Sequence, residues 1–418
     1  MLSLFCASLL GLAAPAPKDA PAPNWLEFRG PDGTGHYAGP KLPSTWSPTT
    51  NVVWKTEIAG KGWSSPILVN GLLIQTTAVA KGSDHDLRVV AIDAESGKVK
   101  WDKSAFVRTS TEAGKMHAKN SYASPTPVSD GKIVIAHFGH MGTACYDLAG
   151  KELWKTDKYS YDPQHGNGNS PILVDDNVIF SCDGNDQQYI VALNKTTGKE
   201  VWKTQRNTPA RLKFSFATAQ LIEHKGKKLI ISPASDIVAA YDPKKGKEIW
   251  RVKYPVPGWS LIARPVYGNG LLFICTGYVT QHLMAIDPEG SGDITKTNVK
   301  WVARKFVPNT PTPLIVGEEL YTIADQGTMS CLDAKTGKVH WAERLKGKAF
   351  SASPILSDGK IYITSEDGIG SVIAADKTKL DVIQTNDMKE KTFASIVPAN
   401  GAIYLRTETT LFKFADKK

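Results

Sequence analysis

Four histidines, His117, His137, His140 and His165, lie in one stretch of the chain. Imidazole is a common zinc ligand and changes charge close to neutral pH. Their spacing matches no recognised metal motif, so they would form a site only by converging in space, and isolated surface imidazoles are the plainer reading. The segment DPEGSGDITKTN (Asp287 to Asn298) places oxygens at alternate positions and Gly292 sixth, as calcium loops do. It ends in Asn298 where a bidentate glutamate is preferred, so a surface loop is again plainer. No nucleophile elbow, phosphate-cradling glycine loop or HExxH stands anywhere in the chain. No catalytic residue and no metal ligand is therefore assigned.

A second set of residues suits binding. Trp63 and Trp259 occupy corresponding places in two repeats, with Tyr122, Phe214, Phe350 and Phe393 near equivalent places in others. Among them stand Lys115, His117, Lys119, Lys213 and Arg264, with Asn120 and His137 close by. An aromatic rim set with cations suits a glycan, a peptide or an anionic small molecule. The alternative is structural, with the aromatics wedging neighbouring sheets apart. The ligand-binding candidates are Trp63, His117, Lys119, Asn120, Tyr122, His137, Phe214, Trp259, Arg264 and Phe350.

The elements that position these residues follow from internal repetition. AIDAESGKVKW, ALNKTTGKEVW, AYDPKKGKEIW and CLDAKTGKVHW align without gaps, each with Asp or Asn eight residues before Trp and Gly four before it. Asp147–Trp154 is one residue shorter, and Asp287–Trp301 carries an insertion. The pattern is a β-hairpin. The Asp or Asn side chain bonds nearby backbone N–H groups in the turn, glycine supplies positive φ, and tryptophan returns on the next strand to pack between sheets. Upstream of each hairpin another strand pair recurs, clearest in SSPILVNGLLIQTT and SASPILSDGKIYITS. Four strands per repeat and eight repeats predict an all-β, eight-bladed propeller of four-stranded antiparallel blades. The last repeat lacks a Trp-bearing outer strand, and an orphan one, VVWKTEIA, precedes the first. The N-terminal strand is therefore expected to complete the last blade and remove two open sheet edges. The segments entering each inner strand, and those between second and third strands, should open together around the channel. The longest connection, Lys103 to Asn120, would lie there.

The rest of the chain frames this domain. Residues 1–23 have an apolar run from Leu2 to Ala14 and then a Pro/Ala tract, which predicts a signal peptide and linker and hence an exported protein. Residues 24–51 form an N-terminal extension and residues 52–418 the propeller. No later stretch is apolar enough to span a bilayer. Cys145, Cys182, Cys275 and Cys331 fall in apolar strands and read as buried thiols. Net charge is +9, much of it lysine at tight turns, which reads as solvated surface. Nucleic acid is not an expected partner.

The AxDxxTGKxxW repeats resemble those of the PQQ-like propeller family, which includes quinoprotein alcohol dehydrogenases and the BamB-type envelope proteins. The likeness covers roughly residues 50 to 418, and FRGPDGTG (Phe28 to Gly35) is similar to the opening of exported propellers of planctomycete type. The resemblance implies the fold firmly and an activity hardly at all. Its dehydrogenase members imply PQQ beside a disulfide of adjacent cysteines, with calcium on a Glu/Asn/Asp set. No two cysteines are adjacent here, and no such set is evident. No cofactor is therefore expected. The expectation is a monomeric, non-catalytic binding or scaffold protein of the cell envelope, with an envelope protein or glycan as partner. The alternatives are a PQQ-dependent oxidoreductase and a polysaccharide hydrolase or lyase.

Overall fold

A computed structural model describes residues 24–417 apart from 209 and 279. The expected signal segment lies outside the described residues. Eight sheets surround a central axis, each built on four antiparallel strands, in chain order from the axis outward in the first seven. Blades one to seven span residues 67–108, 128–156, 172–205, 220–253, 266–303, 314–344 and 355–387. Blade eight joins residues 397–415 to Val52–Glu57, which pair from Val52 with Phe414 to Glu57 with Thr410. The predicted closure and blade count are both observed.

Burial explains the strand sequences. Middle strands are covered on both faces and read as unbroken apolar runs, as in Gln188–Asn194. Outer strands face solvent on one side and alternate, as in Val52–Glu57. At the hairpin turns the Asp or Asn carboxyl or amide oxygen accepts backbone N–H bonds, such as Ser96 N to Asp93 Oδ1 at 2.8 Å and Thr197 N to Asn194 Oδ1 at 3.0 Å. The turn glycine has a further role. At Gly198 φ is +69°, and a Cβ there would lie 2.7 Å from the Trp154 indole of the preceding blade. Each repeat's tryptophan docks on the next repeat's turn. Six indoles donate Nε1–H to a carbonyl across a seam, at 2.8 to 3.2 Å, from Trp54, Trp101, Trp154, Trp202, Trp301 and Trp341.

Two seams differ. Trp250 meets the inserted turn of blade five, which has no such glycine, and its buried Nε1 has no partner. The insertion does not shape a cation loop. Gly292–Asp293 pair in parallel with Trp250–Arg251 as a fifth strand, and Asn298 Nδ2 donates to Asp287 O and Glu289 O. Blade seven has no outer tryptophan, and the N-terminal extension brings Trp46 and Leu42 there, both buried. Trp46 stacks on Tyr362 at 6.3 Å, and its amide donates to Asn386 Oδ1 at 3.0 Å. Among the described residues, no helix is long and apolar enough to cross a membrane.

Candidate functional site

The extension crosses the central channel. Trp25 and Leu68 exchange backbone bonds on blade one, and Leu26 O accepts Ser129 N from blade two. The chain then passes blade five and leaves along blade seven, where His36–Tyr37 pair in parallel with Leu356–Ser357. Arg29 is its anchor, with its side chain buried and donating to four carbonyls: Gly33 O (3.2 Å), Thr34 O (2.9 Å), Pro313 O (3.2 Å) and Pro354 O (2.9 Å). Burial, and then repulsion from Arg264, pull the Arg29 guanidinium down to about 9, so it stays charged at neutral pH. Gly33 has φ +63°, and a Cβ there would strike the Arg264 guanidinium, so the turn Pro31–Gly33 needs glycine at that point. Arg264 also donates to Glu27 Oε2 at 3.0 Å and Phe28 O at 2.5 Å. Burial raises the Glu27 carboxyl above its ordinary range, and Arg264 opposes that rise.

Above this plug runs a belt of hydroxyls, one from each blade but the fifth. Each sits just before an inner strand, and its oxygen accepts the backbone N–H of the preceding member. Ser65 N donates to Thr126, Thr126 N to Ser170, and Ser170 N to Thr218, at 2.9 to 3.2 Å. Arg264 N donates to Thr312, Thr312 N to Ser353, Ser353 N to Ser395 and Ser395 N back to Ser65, at 2.9 to 3.0 Å. Arg264 is the single interruption. Blade five puts there a guanidinium that reaches down to hold the extension in place of a hydroxyl.

The belt lines a cavity of about 530 Å³ that opens on the face of the entering loops, with Phe28 of the plug among its walls. Trp63 lies 4.6 Å from Phe393 on one side, and Phe214 lies 6.0 Å from Phe216 on another. Trp259 and Tyr278 are joined by a backbone bridge, and Tyr278 is 57% exposed at the lip. The loop after blade one forms part of the rim. It starts with a helical turn, Ser110–Ala113, capped by a Thr109/Glu112 box. Blade one's outer strand runs to Arg108, so this connection begins later than the Lys103 expected from sequence. At its far end Lys119 Nζ reaches Glu366 of blade seven at 3.0 Å, while Asn120 Nδ2 ties it to His165 O and Asn167 O. Asp325 accepts Asn309 N, Thr310 N and Thr310 Oγ1 at 2.9 to 3.0 Å. Lys119 and Asp325 are the only lysine, arginine or carboxylate residues among the described residues lining the cavity, and both are engaged within the protein.

Six of the ten sequence candidates meet here: Trp63, His117, Lys119, Asn120, Phe214 and Trp259. The other four do not stand on the rim. Tyr122 turns under the helical turn, its hydroxyl donating to Gly114 O at 3.1 Å and its ring on His85. His137 is inside blade two, bonded through Nδ1 to Thr143 Oγ1 at 2.8 Å and packed 4.3 Å from Phe180. Arg264 points below the belt, and Phe350 is wholly buried where the turn at Gly327 presses on it. In each case the side chain turns away from the mouth, into the packing between blades, under the loop or toward the plug, a direction that repeat alignment does not give. Sequence reasoning missed Phe28, Phe216, Tyr278 and the hydroxyl belt. The belt had a signal, since Ser or Thr stands before the inner-strand proline at Ser65, Thr126, Ser170, Thr312 and Ser353.

The four histidines separate into two pairs. His117 and His165 lie edge to face at 5.3 Å on the rim. His140 bonds Glu112 O and Asn167 beneath the loop, beside His137. Burial pushes His137 down to about 3, and burial also lowers His140. Among the described residues, no group of three or more His, Cys, Asp or Glu is placed to hold a metal ion. Cys145, Cys182, Cys275 and Cys331 are buried free thiols, far up in pKa through burial.

A family model described as outer membrane protein assembly factor BamB matches residues 44–157, 104–307 and 279–418. The outer membrane protein assembly factor BamB of Shewanella oneidensis is 21% identical over 307 residues, 68% of this chain and 72% of that protein. Among solved structures, BamB from Moraxella catarrhalis superposes with a TM-score of 0.61 at 12% identity, covering 88% of this chain and 97% of that one. A europium-containing methanol dehydrogenase gives 0.69 at 11% identity, covering 95% and 99%. Repeats, ring closure and model match agree: the chain belongs to the PQQ-like propeller family represented by outer membrane protein assembly factor BamB.

Proposed function

We propose that this chain is an exported, non-catalytic binding protein of the cell envelope, and that the mouth of its propeller is the recognition surface. The observation that carries this reading is the cavity itself: aromatic-walled, internally neutralised in charge and backed by the chain's own extension. Such a concavity, with a few placed polar groups, is the usual form of a ligand site. The family's naming relative is an assembly factor of the outer membrane, which supports an envelope partner. The test is thermal unfolding of the protein with protein and polysaccharide fractions of an envelope extract. A ligand of the native mouth raises the melting temperature with concentration, and the Trp259→Ala variant loses that rise. No rise from any fraction would contradict the proposal.

The dehydrogenase reading finds less support in the residues. PQQ is a planar tricarboxylate that needs cations at its edge. The lining offers Lys119, which Glu366 already holds, and Arg264 beneath it is spent on Glu27. These residues do not fit the cofactor. An absorbance change on adding PQQ and calcium to the protein would reopen that reading.

A further inference from the structure

We infer that the mouth cavity receives the end of a neutral carbohydrate, one or two sugar rings deep. This rests on the mouth being a binding site and names the class of its ligand.

Three observations carry it. The first is charge. Lys119 is neutralised by Glu366, which also accepts the Ser351 hydroxyl at 2.6 Å, and Asp325 is saturated by two amides and a hydroxyl. Among the described lining residues, an anion or a cation entering here would meet no lysine, arginine or carboxylate that is not already engaged, and pairing with Lys119 or Asp325 would break one of these arrangements. The second is the belt. Each of its seven oxygens accepts one backbone N–H, and among the described residues none of the seven hydroxyls donates to a protein acceptor. A hydroxyl carries one donor and two acceptor sites, so each retains an O–H and a lone pair. A ring of groups that both donate and accept is complementary to an alcohol-rich ligand. The third is the walls. Trp63 with Phe393, Phe214 with Phe216, and Trp259 with Tyr278 add aromatic rings to the lining around those hydroxyls. A sugar ring has C–H faces that stack on aromatic rings and an edge of hydroxyls that takes hydrogen bonds.

Depth adds direction. The channel is crossed below the belt by residues 25–37, held through Arg29 and Arg264, so a polymer cannot thread through it. A ligand enters by its terminus. A volume of about 530 Å³ lies within the range of roughly 300–1,000 Å³ common for small-ligand pockets.

The test is calorimetric titration of the full chain with cellobiose, maltose and chitobiose, with α-cyclodextrin as a neutral glucan that has no end. The expected result is saturable one-to-one binding of at least one disaccharide and none of α-cyclodextrin. Trp259→Ala and Tyr278→Ala, both at the partly exposed lip, should each weaken binding roughly tenfold. Val339→Ser on the outer face should leave it unchanged. If no disaccharide binds but an envelope fraction still stabilises the protein through Trp259, the carbohydrate inference falls and the binding role stands. If neither occurs, both fall. Disaccharide binding that survives Trp259→Ala and Tyr278→Ala together also overturns the inference.

Discussion

The outer girdle and the axis of this propeller are built by opposite means. On the girdle a single device repeats: a tryptophan of one blade lies on the turn glycine of the next and donates its N–H across the seam. At the axis the repetition is polar, a belt of hydroxyls, and it is broken once so that Arg264 can hold a segment from outside the repeat. The girdle closes a ring and could do so in any propeller of this kind. The axis gives this one its floor and its wall chemistry. Regularity serves the fold, and departure from it makes the site.

The strongest way to break that contrast is to remove the anchor of the departure. Arg29→Ala deletes a buried guanidinium and leaves four carbonyls without donors, which should cost about 4 kcal/mol or more in denaturant unfolding. A change under about 1 kcal/mol would mean that the plug is peripheral. Next in size is acid sensitivity between the two regions. His137 is buried and neutral, held near 3 in the folded chain against an ordinary 6.5. The unfolded chain therefore binds more protons in that interval, and the stability His137 contributes is complete above about 6.5 and lost as pH falls toward 3. The loss should amount to about 4 kcal/mol by pH 3, with His140 acting in the same direction. His137→Gln should flatten the acid limb of a stability–pH curve, and an unchanged slope would contradict the assignment.

Smaller effects sharpen the girdle. Trp202→Phe strands Pro243 O and should cost about 1–2 kcal/mol. Trp250→Phe removes an N–H that has no partner and should cost clearly less, so equal losses in parallel melts would erase the distinction between the seams. Smallest is the belt. Thr312→Val leaves Arg264 N without its acceptor and should cost about 1 kcal/mol.

The girdle was legible because its parts are local and recur. Asp93, Gly97 and Trp101 fall within one hairpin, and each repeat restates them. Ring closure was legible for the same reason, since Val52–Glu57 carries the tryptophan that the last repeat lacks. The plug was not. Arg29 finds Pro354 across 325 positions, and nothing in FRGPDGTG states that its guanidinium will reach the carbonyls of Pro313 and Pro354. The candidate site was half legible. Trp63 and Trp259 were found because loops entering inner strands must face the mouth, whereas Phe350, also before an inner strand, and His137, at the end of a second strand, turn into the packing between blades. Position in a repeat fixes the height of a side chain along the axis, and rotamer and neighbours decide whether it faces the cavity.

If the mouth is the recognition surface, partners bind at the axis and not on the girdle. The direct measurement is photo-crosslinking in envelope extract from a benzophenone residue at Tyr278 on the lip, compared with one at Val339 on the outer face, which is 40% exposed. Adducts at Tyr278, competed by the unlabelled protein and absent at Val339, are the predicted result. Adducts at Val339 with none at Tyr278 would contradict it.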